Sequence, residues 1–227
     1  MRLRYVVYAE VVHITRFRFR GFKSLYDVAC DLNQLTVLTG PNGAGKSNLV
    51  DAINFLAEVA EHGIEIAVAR AGGYENIAHR SGTREPVPVA CGVEFEFFIS
   101  EVTRGRHPST GHSGDSNDTP LRLSLEFSIR TEGGMPASDF IVHSEQLYLR
   151  DSQGVVFRMV RGPKPDKIRF WRARRMQGRR SRYSDILYPF TDADFLTFIR
   201  GQLSATPLLV AQVPFGAPTL LTRWLGG

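Results

Sequence analysis

What the sequence lacks narrows the reading first. No stretch of the 227 residues approaches the roughly 20 consecutive apolar residues that a membrane-spanning helix needs, so no membrane role is expected. The opening MRLRYVVYAEVV carries two arginines but only a short apolar run, interrupted by Glu10. It reads as a strand or a ragged start rather than as a secretory signal. The two cysteines, Cys30 and Cys91, make no CxxC pair and no framework, and are expected as buried free thiols in a reducing cytoplasm. Histidines are scattered. Only His107 and His112, near Asp115, lie close together, in a polar loop where solvation explains them better than metal binding. The window Lys167 to Arg182 (KIRFWRARRMQGRRSR) has no acid at all and holds eight of the 28 basic residues. The remaining chain has 20 basic and 23 acidic residues, a balance of −3, so the basic character belongs to one segment.

What is present is the composition of a globular protein: 43% hydrophobic and 22% charged residues, too apolar for wholesale disorder. The length fits one domain, or one plus an insertion. Residues 11–20 (VVHITRFRFR) alternate as a strand with one wet face, with Phe17 and Phe19 in phase and Ile14 only roughly so. A turn at Gly21 and a second short strand from Tyr26 to Leu32 follow. The apolar run QLTVLTG, ending at Gly40, predicts a buried strand. From Lys46 to Glu61 the period becomes helical, with Leu49, Ile53, Leu56 and Ala60 on one side and His62-Gly63 as the stop.

Beyond Pro86 the period is two. Leu121, Leu123, Leu125, Phe127 and Ile129 alternate with polar residues, as a half-buried strand requires. Similar strands are expected at Val87 to Ile99, Phe140 to Arg150 and Val155 to Val160. Turn chemistry at Thr131 to Asp139 and at Asp151 to Gly154 makes these an antiparallel meander. Ser100 to Pro120 reads as a long hairpin loop, and Thr191 to Ser204 as a last helix capped by Thr191. The expected organisation is one domain over 1–227. Residues 12–85 form the core, 86–162 the meander with its loop at 100–120, and 163–227 a basic connector and helix.

The chemistry sits between the third strand and the first helix. Gly40-Pro41-Asn42-Gly43-Ala44-Gly45-Lys46-Ser47 matches GxxxxGK[ST] in full, in the strand–loop–helix context that a phosphate-binding loop requires. The glycines let backbone amides approach phosphate oxygens without Cβ clashes, and the helix starting at Lys46 adds the positive end of its dipole. Lys46 is placed for the β- and γ-phosphates of ATP, and the Ser47 hydroxyl for magnesium. Such a loop binds and positions. Hydrolysis further needs an acidic residue in the magnesium shell and a group that orients water. The chain has no run of four apolar residues ending in Asp-Glu, and Asp185, Asp192 and Asp194 follow no such run.

The letters PNGAGKSN, the preceding LTVLTG and the turn Arg20-Gly-Phe-Lys-Ser24 resemble the ABC-type branch of the P-loop ATPases, allied to the RecF, SMC and OLD proteins and often labelled AAA family ATPases. Residues 70–82 (RAGGYENIAHRSG) resemble the Gly-Gly-aromatic segment that these proteins carry after the first helix. The resemblance covers residues 12–160 and fades thereafter. It implies an α/β fold: a P-loop NTPase N-terminal lobe with an antiparallel β-subdomain, incomplete at its C-terminal end. It implies ATP and Mg2+ as cofactors, contacts from Asn48 and Lys23 to the nucleotide with Arg20 nearby, and Gln212 in LLVAQVPFG as a Q-loop candidate for the metal. The family's later features, an LSxG segment, an apolar-Asp-Glu strand and a switch histidine, have no counterpart here. The chain thus resembles the first half of an ATPase, whether split, truncated or degenerate. It would be completed by its C-terminal half or by a second ATPase head.

DNA is a further partner that the resemblance implies. Within the basic segment, Arg172, Arg174, Arg175, Arg179, Arg180 and Arg182 lie near Phe170 and Trp171, cations for phosphates beside rings that stack on bases. A solvated connector is the competing account. Two other functions compete with the ATPase half. A small P-loop kinase would use the arginines as a lid, but no acidic acceptor motif follows the first helix and a meander has no place in that fold. A non-catalytic module would sense ATP or bind DNA without turnover.

Overall fold

The computed structural model describes residues 7–80, 87–101, 120–132, 139–162, 168–172, 175–176 and 179–180. Its main feature is one seven-stranded sheet in the order β2-β1-β3-β4-β5-β6-β7, with every neighbouring pair antiparallel. The strands are β1 (Val7–Phe22), β2 (Leu25–Asp31), β3 (Val89–Glu101), β4 (Leu121–Arg130), β5 (Ile141–Asp151), β6 (Gly154–Arg161) and β7 (Ile168–Arg172). Three helices, α1 (Lys46–His62), α2 (Ile64–Arg70) and α3 (Tyr74–Ile77), lie between β2 and β3 in the chain, and a short hairpin of β8 (Arg175–Met176) and β9 (Arg179–Arg180) ends the described residues.

The period-two pattern of the sequence is realised closely. In β4 the apolar set Leu121, Leu123, Leu125, Phe127 and Ile129 is 0–6% exposed, so one face of the sheet is core and the other wet. The imperfect phase of Ile14 in β1 has a local cause. The pairing with β3 shifts register between Ile14 and Arg16, and this irregularity returns Ile14 to the buried face together with Phe17 and Phe19. The β5–β6 turn is built as its sequence implies, with Asp151 Oδ1 accepting from the Gln153 and Gly154 amides at 2.8 and 3.1 Å.

Helix α1 covers the apolar face near β1. Phe22 meets Phe55 with ring centroids 5.6 Å apart. The buried side of α1 is Leu49, Ala52, Phe55, Leu56 and Val59, rotated slightly from the side expected, because Phe55 rather than Ile53 fills the space over Phe22. Gly63, at φ 87°, ends the helix. Helices α2 and α3 were not expected. They carry Ile64, Ala67, Val68, Tyr74 and Ile77 into the same core. Tyr74 donates its hydroxyl to the Ile129 carbonyl at 3.4 Å, and burial raises its pKa above the ordinary tyrosine value.

Three expectations are corrected. Residues 34–40 form no strand, and Leu35, Val37 and Leu38 are 81%, 71% and 44% exposed. Among the described residues no strand runs beside them, so the run has an apolar composition but nothing to pair with or pack against. Cys91 is fully buried, as expected, whereas Cys30 is only half-buried because β2 is an edge strand. Finally, part of the basic segment read as a connector is strand: β7 continues the meander beside β6. The expected helix at Thr191–Ser204, the loop histidines His107 and His112, Arg174, Arg182 and Gln212 lie outside the described residues.

Candidate nucleotide site

The phosphate loop joins the exposed run to α1. Gly45 is the residue before the helix and has φ 90°, a left-handed conformation that side chains resist. A Cβ there would also come within 3.3 Å of Ser24 Oγ and 3.5 Å of the Leu25 side chain, so glycine serves both the turn and the close approach of β2. The helix start has no side-chain cap and no acidic residue in its first turn. Its unpaired amides and dipole are therefore open to an anion. Lys46 folds back over the loop, donating from Nζ to the Gly40 and Pro41 carbonyls at 2.7 Å each. The ammonium is thus held at the loop centre by neutral acceptors, and among the described residues no carboxylate lies in salt-bridge reach of it. Ser47 is exposed on the first turn.

Tertiary structure gathers around this loop two segments that are distant in sequence. Ser24 Oγ accepts from Asn48 Nδ2 at 2.6 Å, and Lys23 Nζ lies 2.6 Å from Asp51 Oδ2. Both bonds tie the β1–β2 turn to the start of α1. Lys23 itself sits at φ 46°, and its amide donates to the Ile77 carbonyl at 2.7 Å while the His79 amide donates to the Gly21 carbonyl at 2.8 Å. His79 Nδ1 also meets the Lys23 carbonyl, and its ring lies edge-on to Tyr26. The Gly-Gly-aromatic segment therefore closes on the Arg20–Ser24 turn from the other side. Both segments stand out in the sequence as separate motifs, but the roles of Asp51, which belongs to neither, and of His79, which lies within the second, do not. Arg20 points elsewhere, to Glu126 at 3.6 Å across the sheet.

Among the described residues no group of three or more His, Cys, Asp or Glu could hold a metal ion. Asp51, the nearest acid on α1 in sequence, is occupied by Lys23.

Comparison with known proteins agrees with this loop. Residues 35–145 match the family described as AAA domain, putative AbiEii toxin, Type IV TA system, and related sequences include RecF, SMC and ABC ATP-binding proteins. The chain is similar to RecF- and SMC-like, ABC-type P-loop ATPases over its phosphate-loop region. The DNA replication and repair protein RecF of Rhizobium leguminosarum is 34% identical over 89 residues, 37% of this chain and 24% of that protein. The chromosome partition protein Smc of Synechocystis is 28% identical over 144 residues, 60% of this chain and 11% of that protein. The cobalamin import ATP-binding protein BtuD of Halobacterium salinarum is 34% identical over 104 residues, 44% of this chain and 26% of that protein. The chain therefore spans at most 26% of the length of these ATPase relatives. A solved SMC ATPase covers 85% of this chain at 18% identity with a TM-score of 0.33, too low to establish a shared fold.

Proposed function

We propose that this chain binds Mg2+-ATP through Gly40–Ser47 and forms the first half of an ATPase coupled to DNA, with hydrolysis dependent on a C-terminal half or a second ATPase head. The observation that carries the reading is the Lys46 ammonium, held by two backbone carbonyls over a glycine-rich loop at an open helix start. ATP would exchange the two carbonyl acceptors of Lys46 for β- and γ-phosphate oxygens, a stronger charge-assisted pair. The backbone amides of 43–47 would take the remaining phosphate oxygens, and Asn48 and Lys23 would keep the neighbouring turn in place. Magnesium, when bound, neutralises developing charge on the phosphates, and Ser47 would be its protein ligand.

Dependence on a partner has its own support. The exposed run Leu35, Val37 and Leu38 leads directly into the loop, and three large apolar side chains in water within four residues favour a covering surface. Among the described residues no carboxylate is free to complete the metal shell at the loop. Binding of fluorescent ATP in the presence of magnesium tests the reading. Lys46→Ala should weaken it roughly 10- to 100-fold, the worth of a lost charge-assisted bond. Unchanged affinity in Lys46→Ala would refute the site. Turnover by the chain alone at the rate of a complete ATPase would refute the dependence on a partner.

A further inference from the structure

The wet face of the sheet differs between its two ends. Near β1, β3 and β4 most of its cations are matched: Arg16 lies 2.9 Å from Asp31, Arg20 3.6 Å from Glu126, and Arg122 2.9 Å from Glu96, with Arg18 the exception among the described residues. Toward β7 the matching stops. Arg150, Arg158 and Arg169 all occupy the wet face, and among the described residues none has a carboxylate in salt-bridge reach. Asp151 is engaged by turn amides, and Glu145 lies on the core side.

The pairing register gathers these residues. Ser124, Tyr148, Arg158 and Trp171 stand opposite one another on β4, β5, β6 and β7, forming a single row across four strands. Arg122 opposes Arg150 in the next row, and Arg169 opposes Val160 in the row on the other side. The Tyr148 ring is flanked by the guanidinium carbons of Arg150 and Arg158, 4.9 and 5.3 Å from its centre. Trp171 is 50% exposed. Like charges directly opposite, as in Arg122 and Arg150, destabilise an antiparallel pair, and half of the Trp171 indole is left in water.

We infer that this face of β4–β7 binds single-stranded nucleic acid, with Arg150, Arg158 and Arg169 on phosphates and Trp171 stacked on a base. Guanidinium groups neutralise the backbone and aromatic planes accept unpaired bases of any sequence, and both are interleaved here at the roughly 5 Å spacing of adjacent strands. A single strand fits better than a duplex, because the surface is a sheet face whose ring requires an unstacked base. The DNA coupling proposed above, on which this face depends for its role, thereby acquires a location. That location adds to the basic segment 167–182 a surface that also draws on β5 and β6.

The test uses the full chain and 20-nucleotide dT, rU and blunt duplex probes, read by fluorescence anisotropy over a salt series. Binding of either single strand should be tighter than of the duplex, with the dT and rU arms distinguishing DNA from RNA. Arg150→Ala, Arg158→Ala and Arg169→Ala combined should flatten the salt slope by about 2, at about 0.7 for each phosphate no longer neutralised. Trp171→Ala should weaken binding roughly tenfold with the slope unchanged. ATP binding measured on the same proteins reports folding and keeps failure of this inference separate from failure of the nucleotide site. Three results would overturn it: no single-strand binding at low salt, duplex binding tighter than single-strand binding, or variants that bind like the parent while retaining ATP. Capture by anionic vesicles without oligonucleotide binding would equally overturn it, in favour of a membrane surface.

Discussion

The sheet and the phosphate loop satisfy their backbones in opposite ways. From β3 to β7 each strand pairs with the next in the chain, and β3 also takes the distant β1 as its other neighbour, so every strand finds an edge and the buried face closes over Phe95, Leu125, Phe127, Leu147 and Met159. The run 34–40 has a comparable apolar composition and enough residues to form a strand, yet lies exposed without a partner. The difference teaches that apolar character alone does not make a strand: a second edge is needed, and for this run it does not come from the described residues. The functional loop is thus mounted between a self-sufficient sheet and an unpartnered approach.

Breaking the self-sufficient side should give the largest effects. Phe127→Ala, at a fully buried position, should cost about 3–5 kcal/mol in urea unfolding, enough to unfold a marginal domain. Next comes the pair of Arg161 and Glu145, 3.9 Å apart with side chains 1% and 0% exposed. Burial lowers the Arg161 pKa while Glu145 raises it. Arg161→Leu should therefore cost about 3 kcal/mol or more by leaving the Glu145 carboxylate without its buried cation. At the small end, Leu35→Ser with Val37→Ser should change the stability of this chain by no more than about 0.5 kcal/mol each. A loss of several kcal/mol there would mean that the run is buried in solution, and the contrast between the two regions would collapse.

Legibility in the sequence followed the same division. The meander could be read almost to the residue, because side-chain alternation and turn chemistry are local properties and β4 has no competing period. The phosphate loop was equally plain, since the conformations of Gly43 and Gly45 and the reach of Lys46 are set within the loop itself. Helices α2 and α3 escaped notice because they are short, at seven and four residues, and helices of that length form only through tertiary packing. The strand expected at 34–40 failed for want of a second edge. The basic face on β4–β7 was legible only in part, as the charge run that includes Arg169 and Trp171. Arg150 and Arg158 join it solely through strand register.

By itself, the sequence determined the phosphate loop, the alternating strands and the resemblance to an ATPase family, all encoded in spacing over a few residues. Tertiary structure alone decided that the Lys23–Ser24 turn, Asn48, Asp51 and His79 meet around the loop, that Leu35 and Val37 stand in water, and that unmatched arginines gather on one face. Each of these depends on which distant strand or helix lies alongside, and pairing and burial are not properties of any one segment.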